Sequence, residues 1–208
     1  MVASVIPLAH MSGSDVALSI ALGVGLAAAV GLRVFLPMLV MSVAAGSGHL
    51  ALASGFAWLA TPAALVMLSV ATLLEILAYY LPGVDNLLDA LATPAAVIAG
   101  TVVSAAVMTD LPPVVKWSTA VIAGGGAAGL TQGLTTLLRA KSTLATGGLG
   151  NPLLASVEAG GALLLSLLAL AAPLLAAAVA ALCCWAAARL ARRLWRGKSP
   201  PPLAGSGR

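Results

Sequence analysis

Three ionisable residues stand inside otherwise apolar runs of this chain: Arg33, Glu75 and Glu158. A charge at the centre of a bilayer costs at least about 2.5–3.5 kcal/mol on insertion scales, so it normally has a partner or lines a cavity. Counted along helices from the ends of their runs, Glu75 and Glu158 reach similar depth from opposite directions. Arg33 lies closer to the middle. Two carboxylates at one level suit a proton or cation relay, with Arg33 as counter-charge or anion contact. Gln132 and Thr131, in a later apolar run, would add polar lining. The three charges sum to −1, so one acid pairs with Arg33 and the other is protonated, reaches Arg139 or Lys141, or binds a cation. The alternative is structural: an Arg33–Glu75 bridge, with Glu158 settled at a helix N-terminus where the dipole favours an acid.

A second group of polar residues falls between the runs. Asp85, Asn86 and Asp89 form an acidic segment, in which Asp85 reads first as a helix cap. Arg139, Lys141 and Asn151 are expected on the same, cytoplasmic face. The stretch Thr146-Gly-Gly-Leu-Gly-Asn-Pro152 either presents backbone amides to an anion beside Arg139 or forms a tight turn. It lacks the Lys-Ser/Thr ending of a P-loop. Cys183 and Cys184 are adjacent in an apolar run and read as small core residues. His10 and His49 have no acid or thiol pattern around them, so no metal site is expected. Nothing has the spacing of a catalytic triad or a dinucleotide fingerprint. The chain is therefore expected not to be an enzyme and to need no cofactor.

Composition decides what must hold these residues. Of 208 residues 61% are hydrophobic and only 8% are charged, against about 25% charged in soluble domains. Mean hydropathy is +1.10. Too little polar surface is available to wet a folded exterior, which excludes a soluble enzyme, a nucleic-acid binder and a disordered chain. Ten Lys plus Arg against six Asp plus Glu give a net charge of +4. Most of that excess flanks the apolar runs.

A bilayer core of about 30 Å needs roughly 20 apolar residues per helix. The first run, residues 16–45, is too long for one straight span and contains Gly31, Arg33 and Pro37, so a helix broken near 33–37 is expected. Residues 58–81 form a second span containing Glu75. Residues 84–92 read as a short amphipathic segment, and Pro94 opens a third span to about 109. A fourth covers 117–138 and closes at Arg139 and Lys141, before a turn-rich loop over 142–152. Residues 153–188 split at Pro173 into spans five and six, or form one long bent helix. The basic tail after Arg189 anchors the last helix to anionic headgroups. With six spans the positive-inside rule puts Arg139, Lys141 and both termini in the cytoplasm. Trp58 and Trp117 then mark the outer interface, and Tyr79, Tyr80, Trp185 and Trp195 the inner one.

The lack of a basic region at the start disfavours a cleaved signal peptide, and Met11, just before Ser14 and Asp15 as helix caps, reads as a better start than Met1. Span one carries Gly23-xxx-Ala27-xxx-Gly31 and span four Gly125-xxx-Gly129-xxx-Gly133. Such stripes let helix backbones approach closely. Three spans per half, starting from opposite sides, would make a 3+3 inverted repeat, an arrangement used by transporters. The domain reading is a tail over 1–15, a single membrane domain over 16–197 with halves 16–111 and 112–197, and a tail over 198–208.

Several motifs together resemble a bacterial family catalogued as an integral membrane domain of unknown function. They are Gly31-Leu-Arg-Val-Phe-Leu-Pro37, Glu75-Ile-Leu-Ala-Tyr-Tyr-Leu-Pro-Gly-Val-Asp85-Asn-Leu-Leu-Asp89, Ala92-Thr-Pro-Ala-Ala-Val-Ile-Ala-Gly100 and Leu138-Arg-Ala-Lys-Ser-Thr-Leu-Ala-Thr-Gly-Gly-Leu-Gly-Asn-Pro152. Glu158, six residues after that proline, fits the pattern too, and the likeness runs over about residues 17–170. Many relatives carry an acidic–basic pair where this chain has Tyr79-Tyr80. The resemblance implies a membrane fold and supplies no activity.

The expectation is an all-α, polytopic helix bundle of about six spans in the bacterial inner membrane. Its expected work is transport of a small solute or ion, coupled to protons or cations, with the bilayer, that solute and a second copy of the chain as partners. The alternative is a non-catalytic membrane scaffold or assembly partner.

Overall fold

The computed structural model describes residues 12–80 and 84–196. All regular structure among them is helical. Helix α1 (Gly13–Val30) starts at Ser12, whose hydroxyl accepts the Asp15 N–H and donates to the Asp15 carboxylate at 2.9 Å. The cap is thus Ser12 rather than Ser14 or Asp15, and Asp15 sits in the first turn, where the dipole favours an acid. From Leu26 to Val30 every residue of α1 is fully buried. A helix apolar on all sides belongs at the centre of a bundle. Several later helices pack around this one.

The first apolar run is broken as expected, at residues 31–34. The N–H groups of Gly31, Leu32 and Arg33 still bond to Ala27 and Ala29. Those of Val34 and Phe35 leave the helix and bond to a side chain described below. Helix α2 (Phe35–Gly46) then restarts the path, with Pro37, which has no N–H to lose, in its first turn.

A 3₁₀ helix (Ser54–Ala60) and α3 (Pro62–Ala78) meet at a bend of 68°. Thr61 caps α3 by accepting the Ala64 N–H at 3.2 Å. Helix α4 (Val84–Val107) is continuous, so Pro94 lies inside it rather than opening a separate span. A single helical path over Pro113–Thr146 follows. It consists of α5 (Pro113–Thr119), a π-helical segment (Ala120–Gly125) and α6 (Gly126–Thr146).

The expected loop over 142–152 shrinks to a turn. Helix α6 runs on to Thr146 and ends on Gly147 at φ +64°, followed by Gly148 at φ +93°. Both values suit glycine. Helix α7 (Asn151–Ala171) and α8 (Pro173–Arg196) are separated by Ala172, whose backbone (φ −145°, ψ 75°) is not helical. Two helices, not one bent helix, therefore occupy 153–188.

Small residues set the spacing between helices. A Cβ on Gly23 would meet Ser104 Oγ of α4 at 2.7 Å, and one on Gly31 would fall on the Ala128 carbonyl and lie 2.7 Å from Thr131 Cβ. Gly125 and Gly129 face Thr101 and Val97 of α4, whereas Gly133 has open space around it. The second stripe is thus a contact over two of its three positions. The two halves also differ in form. The break at 31–34 has no equivalent in the unbroken path Pro113–Thr146.

Among the described residues four helices are long and apolar enough to cross a bilayer: Gly13–Val30, Pro113–Thr146, Asn151–Ala171 and the Pro173–Leu190 part of α8. The bent pair of the 3₁₀ helix and α3 makes a fifth if it counts as one span. Helix α2 and the Leu91–Val107 part of α4 are shorter apolar helices. The six spans expected from hydropathy are therefore not all matched by helices of crossing length.

Candidate functional site

The break in the first span and the charged residues come together. Glu75, on α3, accepts the Val34 N–H at 2.7 Å and the Phe35 N–H at 3.1 Å, one on each carboxylate oxygen. It therefore supplies the partners that the interrupted helix lacks at the start of α2, where the dipole also favours a negative charge. The expected roles are exchanged. Glu75 holds the helix N-terminus, and Glu158 makes the ion pairs.

Glu158, on α7, bonds to two arginines. Arg139 donates Nε to Oε1 at 3.1 Å and Nη2 to Oε2. Such a two-pronged grip is the strongest geometry a guanidinium makes with a carboxylate. Arg33 Nη2 reaches the same Oε2 at 3.4 Å and donates to the Ala155 carbonyl at 2.9 Å. Arg33 is 2% exposed, Arg139 3% and Glu158 6%. Charges so enclosed are stable only when paired and hydrogen-bonded.

Tyr79 completes the cluster. It caps the C-terminus of α3, four residues after Glu75 and hence on the same face. The guanidinium carbons of Arg33 and Arg139 each lie 3.9 Å from its ring centroid. A desolvated cation over a tyrosine ring gains about 2 kcal/mol. Tyr79 is thus buried at the centre and is not part of an aromatic belt. Its neighbour Tyr80 is exposed and bonds through its hydroxyl to Ser156 Oγ at 2.6 Å.

Arg139 is the residue that sequence reasoning placed wrongly. It was expected at a cytoplasmic helix end, but α6 continues for seven residues beyond it, to Thr146. As a buried residue it no longer counts as a flanking charge, which removes half of the argument for six spans. It also closes the charge balance: Arg33 and Arg139 against Glu75 and Glu158 sum to zero instead of −1. Both guanidiniums act electrostatically on Glu75. The −1 left by the other three was the signal that a further cation belonged to the site.

The other candidates separate. Thr131 is buried against Gly31 at the break. Gln132 is buried too, and its amide donates to Thr136 Oγ1 at 3.4 Å one turn along α6. Lys141 is exposed. Asn151 is buried and donates to Thr143 Oγ1 at 3.0 Å. The amides of the glycine turn serve the chain itself. Gly147 bonds to the Thr143 carbonyl, Leu149 to that of Thr146, Gly150 to Thr146 Oγ1 and Asn151 to the Gly148 carbonyl. These bonds make a tight turn rather than an anion cradle. The side chains of Asp85, Asn86 and Asp89 lie outside the described residues, as do residues 1–11 and 197–208, whereas 13–15 of the expected N-terminal tail belong to α1.

An apolar cleft of about 460 Å³ reaches the edge of the cluster, with Glu75 and Tyr79 among its walls. Helices of crossing length, an apolar exterior and charges paired inside together define a multi-pass helical membrane protein. A family match gives the narrower assignment: over residues 20–193 the chain belongs to the family described as the domain of unknown function DUF4126. No curated protein and no solved structure matches it.

Proposed function

We propose that this protein transports a small solute or ion across the bacterial inner membrane, with movement coupled to protons or cations. One observation carries the reading. A membrane-crossing stretch is interrupted at residues 31–34, and its freed backbone is held by the ionisable side chain Glu75 instead of by the helix. Broken helices beside intramembrane charges are a recurring device of transporters, because such a junction rearranges without melting a whole span. Glu75 is the titrating group nearest the junction. Glu158 with its two arginines forms a balanced counter-charge that keeps the site neutral. Arg189 and Arg192, late in α8, favour a cytoplasmic end for that helix. An even number of crossings places the N-terminus on the same side.

The test uses purified protein in liposomes with an entrapped pH-sensitive dye and an imposed K⁺ potential. Wild type should dissipate a proton gradient faster than empty liposomes, and Glu75→Gln and Glu158→Gln should lose that flux while remaining monodisperse. Wild type no faster than empty liposomes, or both variants equal to wild type, rejects the reading.

A scaffold is the second reading, favoured by the two-pronged Arg139–Glu158 contact that ties α6 to α7. It expects the same substitutions to lower stability with no flux to lose.

A further inference from the structure

Glu75 has a second environment besides the start of α2. It is half-buried and stands on the wall of the 460 Å³ cleft formed by the start of α2, by α3 and by α4 near Leu91. That volume lies within the range of small-molecule sites, about 300–1,000 Å³. The described walls are otherwise apolar or aromatic: Phe35, Leu74, Ala78, Tyr79, Leu91 and Ala95 among them. Glu75 is the only carboxylate among these described walls. Leu74 on α3 and Leu91 on α4 are each 60% exposed. In a membrane-spanning chain such exposure is to lipid, so the cleft fills from the bilayer.

The walls select the chemistry of the occupant. A neutral hydrocarbon makes no polar contact with the Glu75 carboxylate at the cleft wall, and an anion meets it with like charge. A positive charge on an apolar body satisfies both features. Val34 and Phe35 take two of roughly four acceptor positions on the carboxylate, so others remain for a cation. Phe35 adds a ring face that attracts cations. Arg33 and Arg139 also act electrostatically on Glu75, but Glu158 binds both, the Tyr79 ring lies against both, and neither is among the cleft walls.

We propose that the cleft binds a lipophilic organic cation, with its charge against Glu75 and its apolar body between α3 and α4. This gives the solute of the transport reading its class. Binding itself does not depend on that reading.

Equilibrium dialysis of the full chain in detergent with tritiated tetraphenylphosphonium tests it. Wild type should bind saturably, whereas tetraphenylborate, of the same shape and opposite charge, should not compete. Glu75→Gln should weaken binding by about tenfold or more. Ala95→Phe, which fills the cleft away from the α2 cap, should abolish it and decides the matter if Glu75→Gln does not fold. No binding above empty micelles, equal binding by Glu75→Gln, or effective competition by tetraphenylborate overturns the proposal. Proton flux without tetraphenylphosphonium binding rejects this inference and leaves transport standing. Binding without flux of any kind supports the cleft and rejects transport.

Discussion

Arg139 and Glu158, nineteen residues apart, close a two-pronged salt bridge inside the bundle. The contact spans the glycine turn and fixes how α6 lies against α7. Arg33 reaches the same carboxylate from the break after α1. One acidic side chain thus ties together three segments that hydropathy alone treats as independent.

Removing one partner should show what that tie contributes. Arg139→Met leaves Glu158 buried with only Arg33, a loss of about 3–5 kcal/mol for a broken buried pair. Replacing Arg139 and Glu158 together by Met and Leu removes one charge of each sign and should recover much of that loss. Thermal unfolding in detergent compares the two. A double variant no more stable than Arg139→Met would show that the charges contribute more than mutual neutralisation.

The start of α2 offers a local readout. Glu75→Ala leaves the Val34 and Phe35 N–H groups without their acceptors, at about 1–3 kcal/mol for the buried Val34 donor. Hydrogen exchange should accelerate at these two amides first and leave the middle of α1 protected. Uniform acceleration over α1 and α2 would mean that the carboxylate does not act as a cap.

These contacts mark the limit of what the residues disclose by themselves. The break at 31–34 and the split at Pro173 were legible, because glycine, proline and a charge interrupt apolar runs too long for one span. Arg139 was not. It lies two residues before the exposed Lys141, and both look like charges at the end of a membrane helix. Only the tertiary fold separates a buried guanidinium from an exposed ammonium at such close spacing. Tyr79 was obscured by Tyr80 in the same way, since adjacent tyrosines suggest an interface belt. Their positions on a helix differ by about 100°, and the spacing from Glu75 to Tyr79 is the clue that singles out the buried one. Hydropathy counts six runs where four or five helices among the described residues have crossing length. Hydropathy sums a run without showing whether it folds as one crossing or as pieces such as α2.

Tyr79 can be tested through its ring. Tyr79→Phe keeps the face that both guanidiniums cover and should stay within about 1 kcal/mol of wild type. Tyr79→Leu removes it and should cost more, up to about 2 kcal/mol per desolvated cation. A double-mutant cycle with Arg33→Met separates the ring–cation contact from plain loss of volume. Additive effects would mean the ring only fills space.

The last prediction concerns how α1 and α6 approach each other. A Cβ on Gly31 would overlap the Ala128 carbonyl and press on Thr131. A backbone carbonyl cannot move aside as a flexible side chain can. Gly31→Ala should therefore destabilise by about 1–3 kcal/mol, the usual range for overpacking. Gly133, on the same α6, has nothing within 4 Å of the added carbon. Gly133→Ala should stabilise by up to about 1 kcal/mol through helix propensity alone. Both changes add one methyl group to a glycine of a small-residue stripe, so any general effect of stripe glycines cancels between them. Melting temperatures of the two variants in one detergent decide it. Opposite shifts support close backbone contact at Gly31, and equal shifts reject it.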